Sequence, residues 1–393
     1  EKPHEKMARK IMIKRSFFIK SPSQAVVTRS HCSTGKVEVI GGIEVKIGIL
    51  LSGGVDSAVA LYQLKNEGYE IVAYHMKTMK DEFFLNRQVK HKICCSPSDT
   101  VDAKLIAKTA GVPLKVVNLH EIFKEKIITY YLQEYTRGRT PNPCYFCNRF
   151  IKFGYLMDLM IEDGVDVISS GHYARVVDGK LLKALDKEKD QSYFLASIEK
   201  ERLKKIVFPN GDKTKDEIRD IAKKAGIHVH SKAESQDLCF IPDGDQKRFF
   251  EEQGIKIKSG PIFDKYGKKI GEHTGLINYT IGQRKIGVSA GERVYVTRIC
   301  ADRNALIVGN EKDVQSDKFS VIDFNLLVDI DKNFEATVKV RKNSTEVPCK
   351  VSLENHRVIV KTTMPVFAVA PGQAAVFYRG DIVIGAGIIE KIL

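Results

Sequence analysis

Residues 45–57 read Val-Lys-Ile-Gly-Ile-Leu-Leu-Ser-Gly-Gly-Val-Asp-Ser, and the fold follows from how this stretch divides. The run 45–51 is short, apolar and rich in β-branched side chains, the signature of a buried strand. Ser52-Gly53-Gly54 turns the chain, and from Val55 the residues Val55, Ala58, Val59 and Tyr62 recur at helical spacing up to Gly68. Glycines here let the backbone approach an anion, free N–H groups at the helix start point toward it, and Ser52 and Ser57 add hydroxyl donors. The string is neither a Walker A loop nor G-x-G-x-x-G. A lone pair of glycines would ordinarily be a turn in which Asp56 or Ser57 starts the helix. Between a buried strand and a helix, phosphate binding is the expectation.

Working outward, strand and helix patterns alternate: strand 70–76, helix 99–110, strand 114–117, helices 120–135 and 148–161, strand 166–169. Such alternation predicts an α/β domain with a parallel sheet covered by helices on both faces. The link 77–97 is irregular and holds Cys94 and Cys95. Beyond residue 208 the texture changes. Residues 213–225 form one amphipathic helix pattern, and 254–275 is rich in Gly, Lys and short β-prone runs. From 288 onward apolar residues alternate, as in Val294 and Val296, Val338 and Val340, Val358 and Val360, and Val376, Tyr378, Ile382 and Ile384. Period-two patterning between turn residues predicts a small antiparallel β-barrel or sandwich. The expected division is a basic extension at 1–44, a catalytic domain at 45–208, a small central domain at 209–286 and a C-terminal barrel at 287–393.

The chain has 393 residues, 43% hydrophobic and 28% charged, the balance of a folded globular protein of two or three domains. No run of about 18 apolar residues occurs, which excludes a membrane-spanning helix of the usual kind. Lys and Arg number 63 against 49 Asp and Glu, a net charge of +14 that favours a polyanionic partner. Residues 1–46 hold ten of the cations and four of the acids, and no acid lies between Met7 and Lys36. Residues 7–37 therefore read either as a disordered extension or as a mitochondrial transit peptide, and the compartment as cytoplasmic or, on the second reading, mitochondrial.

Eight cysteines are too few for a disulfide framework and suit a reducing compartment, where grouped thiols bind metal or react. Cys144 and Cys147 form a C-x-x-C directly before the 148–161 helix pattern, so Cys147 is expected at or next to a helix N-terminus, where thiolate is favoured. Half of a zinc ribbon is the competing reading, but no second C-x-x-C exists. Cys239, between Leu238 and Phe240, would by itself be a buried hydrophobe.

The strings SGGVDS at 52–57, GRTPNPCYFCNRFIKF at 138–153, SSGHYAR at 169–175, KDQSYFLA at 189–196, ESQDLCFI at 234–241, GLINYTIGQRKIG at 275–287 and PGQAAVFY at 371–378 change that balance. Together, from about residue 45 to the C-terminus, they resemble the tRNA-specific 2-thiouridylases, members of the PP-loop ATP pyrophosphatases. The resemblance implies replacement of the C2 oxygen of the wobble uridine by sulfur in tRNAs for Lys, Glu and Gln. It implies ATP, with Mg²⁺, bound at Leu50, Leu51, Ser52, Gly53, Gly54, Val55, Asp56 and Ser57, and beside the adenine at Met76 and Gly171. Cys239 is implied as persulfide carrier and Cys147 as the cysteine that closes a disulfide with it. Asn142, Pro143 and Cys144 correspond to the loop that meets the target base, and His172, Lys189, Asp190, Gln191, Arg341, Lys342 and Gln373 to tRNA contacts. A cysteine desulfurase or a sulfur-relay protein would donate the sulfur.

One position departs from the pattern. The best-known form of the family carries an aspartate where this chain has Cys144, and that carboxylate is assigned acid/base work or a place in the uridine pocket. A thiol of ordinary pKa about 8.5 does not replace a carboxylate of about 3.9. Either the acid/base role is dispensable, or Cys144, Cys147 and Cys239 hold a four-iron four-sulfur cluster whose open iron binds sulfide. The rival from another class is a PP-loop amidating ligase, comparable to argininosuccinate or NAD synthetases, with structural cysteines. A non-catalytic tRNA-binding module is the third reading.

Overall fold

A computed structural model describes residues 15–19, 25–29, 45–85, 87, 96–232, 238–288, 293–354 and 357–393. Five strands form a wholly parallel sheet in the spatial order Leu114–Asn118, Glu70–Lys77, Lys46–Leu50, Val167–Ser170 and Ile206–Val207. The order grows outward both ways from Lys46–Leu50, which is the doubly wound arrangement expected from the alternation. Residues alternate across that strand. Ile47 and Ile49 enter a core with Leu61 of the helix Val55–Asn66 and Ile106 of Pro97–Ala110, closed by Ile218 and Ala222 of Lys215–Lys224. Leu50 enters the opposite core with Tyr74, Met76, Phe123, Tyr131, Phe153 and Met157. Burial on both faces is why the strand reads as a continuous apolar run.

The alternating C-terminal segments form a closed antiparallel barrel. Gln315–Leu326, Arg357–Phe367, Val347–Glu354, Asn333–Lys339, Ala374–Arg379 and Ile382–Ile392 pair in that order, and the last returns to the first. Val338, Val358, Val360 and Phe377 fill its interior. Ala374, Val376 and Tyr378 point the other way, into the core shared with the α/β domain. The barrel is thus docked by a strand buried on both faces.

The run containing Val294 and Val296 shares the barrel's period, yet its strand Tyr295–Cys300 pairs with Ala305–Gly309 in a separate four-stranded sheet with Gly260–Phe263 and Lys269–His273. Alternation records one buried face and is silent on which sheet supplies it. Within the extension, Arg15–Ile19 and Ala25–Arg29 pair antiparallel with each other. The rest of 1–44, with most of the stretch 7–37, lies outside the described residues, as do Cys94, Cys95 and residues 233–237. Among the described residues no helix is long and apolar enough to cross a membrane.

Candidate nucleotide and thiol site

Doubly wound sheets place ligands at the carboxyl ends of the strands, where the order reverses. Here that point lies between Lys46–Leu50 and Val167–Ser170, and the chain leaves those strands as Leu51-Ser52-Gly53-Gly54 and Gly171-His172. Gly53 has φ +79, open to glycine at no cost. Ser57 Oγ receives the Ser52 N–H at 3.1 Å and donates to the Gly54 carbonyl at 3.0 Å, which folds the loop back on the helix start. The helix Val55–Asn66 begins after Gly54, which has no side chain to cap it. Its first N–H groups are left for an anion.

Of the expected adenine-side residues, Gly171 packs on this loop and Met76 lies on the neighbouring strand. Gly171 is required by contact, because a Cβ there would lie 2.5 Å from the Ser57 backbone nitrogen. Met76 is the penultimate residue of the strand Glu70–Lys77 and is buried.

Five supporting side chains hold the loop from outside it. Asn210, fully buried, donates to the Asp56 carbonyl at 2.9 Å and the Gly171 carbonyl at 3.1 Å, clamping the two sides of the switch point. The Asp56 carboxylate accepts from Lys215 Nζ at 2.7 and 2.9 Å and from the Tyr173 hydroxyl at 2.7 Å. Lys232 donates to the Gly53 carbonyl at 3.2 Å and pairs with Asp99 at 2.8 Å and with Asp102. Burial opposes the Lys232 charge, and the hydrogen bonds and charges of Asp102 and Asp99 outweigh it and raise its pKa. The buried His75 ties the Leu51 carbonyl (2.8 Å) to the Thr100 hydroxyl (3.0 Å). The capping box Thr214-x-x-Glu217 marks Lys215 as the first helical residue, but nothing nearby announces its partner, 159 positions away.

The cysteine loop corrects one expectation. The helix starts at Pro143, not at Asn148, because Asn142 caps it by accepting from the Tyr145 N–H at 3.2 Å and Pro143 takes the first helical position. Exposed Cys144 therefore sits in the first turn, and half-buried Cys147 lies one turn in, where a π-helical stretch Cys147–Tyr155 begins. The free N–H groups of the helix start surround Cys144, and Cys147 lies beyond them.

Lys152, on that same stretch, meets His172 Nε2 at 3.2 Å, while His172 Nδ1 meets Ser170 Oγ at 2.7 Å. The helix bearing both cysteines is thus seated on the strand end beside the phosphate loop. Cys239 lies on a separate segment. Phe146, just before Cys147, packs on Tyr130 at 4.4 Å, and Phe240, just after Cys239, packs on Tyr131 at 5.0 Å. Both thiol segments therefore lean on consecutive residues of the helix Thr129–Thr136.

Burial between Phe153 and Phe208 and the charge of Lys152 hold the His172 pKa well below its ordinary 6.5. That direction favours a neutral, hydrogen-bonding ring over a phosphate-binding cation. The unfolded chain takes up a proton near pH 6.5 that the folded chain refuses. Its stabilising share is therefore complete above that pH and is lost as the pH falls below it. His172→Gln is expected to flatten the fall of Tm between about pH 7 and about pH 5; an unchanged fall would show that the imidazole is protonated in the fold.

The expected tRNA contacts divide into two kinds. Asp190 is turned inward, accepting from the Ala184 N–H (2.9 Å) and the Ser192 hydroxyl (2.7 Å), and Gln191 Oε1 accepts the Tyr173 N–H (2.8 Å). Both shape the loop that carries Lys189. Gln373 donates to the carbonyls of Thr140 and Pro141 at 3.0 and 3.1 Å, bracing the segment before Asn142. Lys342 is exposed over Phe194, and Arg341 donates to the Ile281 carbonyl at 2.7 Å while its buried Nε has no partner. An unsatisfied buried guanidinium nitrogen is costly.

No three His, Cys, Asp or Glu side chains among the described residues converge to hold a metal, so Cys144, Cys147 and Cys239 do not form the ligand set of a cluster in this conformation. Asp56, the acid of the phosphate loop, is already neutralised by Lys215 and does not fit a resident divalent ion.

A parallel sheet with a glycine loop at its switch point, followed by a four-stranded sheet and a closed barrel, defines a protein of the PP-loop class. Three family profiles match in sequence: the tRNA methyl transferase HUP domain at residues 45–243, its PRC-barrel domain at 247–310, and the aminomethyltransferase beta-barrel domain at 316–389. The tRNA-specific 2-thiouridylase MnmA of Fervidobacterium nodosum is 56% identical over 345 residues, covering 88% of this chain and 99% of that protein. Its namesake in Thermosipho melanesiensis is 54% identical over 84% of this chain and 97% of its own length, and that of Thermotoga maritima 47% over 88% and 99%. The chain belongs to the tRNA-specific 2-thiouridylase family.

Proposed function

We propose that the protein thiolates C2 of the wobble uridine in tRNAs for Lys, Glu and Gln, in the cytoplasm. ATP enters as its magnesium complex, and its phosphates lie on the loop Ser52–Ser57. Attack of the uridine C2 oxygen on the α-phosphate releases pyrophosphate and makes that oxygen part of an AMP leaving group. The terminal sulfur of a Cys239 persulfide, charged by a desulfurase or relay protein, adds at C2 and expels AMP. Cys147 thiolate then attacks the Cys239 sulfur. The S–S bond to the substrate breaks, a Cys147–Cys239 disulfide forms, and the electron pair stays on the thiouridine sulfur. A thiol reductant returns the enzyme to its starting state.

The observation that carries this reading is the Lys152–His172 contact, which seats the cysteine helix beside the nucleotide loop. An amidating ligase has no use for that arrangement. The test is incubation with tRNA, ATP and a persulfide donor, followed by mass spectrometry of the digested RNA. Thiouridine formed in step with AMP and pyrophosphate is expected. Release of ADP, or AMP without thiouridine, would overturn the reading. Iron bound in proportion to activity would replace the persulfide route by the cluster route.

A further inference from the structure

We infer that a hollow between the end of the helix Thr129–Thr136 and the hairpin of the four-stranded sheet binds the phosphate backbone of the RNA substrate. The inference rests on the tRNA reading above. The hollow, about 710 Å³, is lined by Thr136, Arg137, Arg298 and Arg303, with Asp302 the one acid. Three guanidinium groups face a single carboxylate.

Little else neutralises them. Arg298 is exposed on the strand Tyr295–Cys300 and makes no ion pair among the described residues. Arg303 lies 3.6 Å from Asp302 with both side chains about four-fifths exposed (80% and 76%), a pairing worth little in water. Arg137 reaches Glu134 at 3.5 Å, but that carboxylate already binds Arg139 at 2.6 Å. The hollow therefore carries surplus positive charge on side chains whose planar forks match phosphate oxygens.

Its position gives the occupant. Gly138, at φ +71, lies so close to the Arg298 strand that a Cβ would come within 2.9 Å of Ile299. The chain then runs through Thr140, fixed by the Pro371 carbonyl at 2.9 Å and the Thr280 hydroxyl at 2.7 Å, to Asn142, Pro143 and Cys144. All three parts of the molecule pin this strip. Cys144 is seven positions after Arg137, at most about 25 Å fully extended. An RNA that presents a base at Asn142–Cys144 has backbone within reach of the hollow, and the site takes phosphates without reading sequence.

The test is the double variant Arg298→Gln/Arg303→Gln, measured for tRNA affinity by anisotropy between about 50 and 200 mM salt. Each lost phosphate contact lowers the slope of log K against log salt by roughly 0.9. The slope is expected to fall by about two and Kd near 100 mM salt to rise at least about tenfold. Lys223→Gln/Lys224→Gln, at the end of the helix Lys215–Lys224, removes equal charge and is expected to change Kd less than about twofold. Equal shifts in both pairs, or none in the first, would overturn the pocket. If the wild-type protein fails to bind tRNA, the tRNA reading fails and the pocket falls with it. Should the double variant melt early, Arg303→Gln alone, in an exposed turn, is expected to lower the slope by about one; an unchanged slope overturns the pocket equally.

Discussion

Cys239→Ser is expected to abolish thiolation, by about 10³-fold or more, while tRNA-dependent release of pyrophosphate from ATP stays within about threefold of wild type. The split follows from which bonds the thiol makes. In the proposed mechanism adenylation uses the loop at Ser52–Ser57 and the uridine oxygen and touches no sulfur, whereas a serine hydroxyl cannot carry a persulfide. Folding is not the expected casualty. Cys239 is half-buried in a turn, and its neighbours Phe240 and Ile241 supply the packing against Phe123, Tyr131 and Phe249. Cys147→Ser should behave differently, because sulfur still reaches C2 and only its release is blocked. One turnover is expected to leave tRNA joined to Cys239 through a disulfide, visible as a slow band on a gel and removed by dithiothreitol. Full thiolation by Cys239→Ser would sink the persulfide assignment, and multiple turnovers by Cys147→Ser would sink the partner role.

What the sequence could show was what it encodes locally. The strand, glycine turn and helix at 46–66 were legible because they are contiguous. The barrel was legible because period two is a local property. The start of the cysteine helix was also written locally, in Asn142-Pro143, a side-chain cap followed by the one residue suited to the first helical position; two prolines around an asparagine read more readily as a loop. Asn210, Lys215 and Lys232 are another matter. They act on Gly53, Asp56 and Gly171 from 39 to 179 positions away, through tertiary packing that leaves no periodic trace. The pairing of Tyr295–Cys300 with the central sheet was hidden for the same reason.

Gly53→Ala is expected to weaken ATP binding at least about 100-fold and to depress thiolation further still. A Cβ on residue 53 would lie 2.3 Å from the Asp99 carbonyl oxygen and 3.0 Å from the Asp99 Cα, all backbone, and φ +79 disfavours any side chain. The left-handed conformation alone costs roughly 1–2 kcal/mol. Asp99 cannot retreat, since it closes the capping box of the helix Pro97–Ala110 and pairs with Lys232. The loop must therefore move, and with it the Gly53 carbonyl that Lys232 holds. Lys232 is seven residues before Cys239, and Phe240 is anchored on Tyr131, so the proposed sulfur carrier follows Lys232 closely along the chain. Displacing Lys232 is expected to disturb the nearby thiol segment even when excess ATP restores occupancy, so kcat is expected to fall as well as the affinity. Gly54→Ala is the internal control, because its nearest neighbour, Ser52 Oγ, stands at an ordinary 3.4 Å and its φ is −97. Its Tm should match wild type, while Gly53→Ala should melt a few degrees lower. Equal melting temperatures with unchanged ATP affinity in Gly53→Ala would show that the loop, Asp99 and Lys232 are not one mechanical unit.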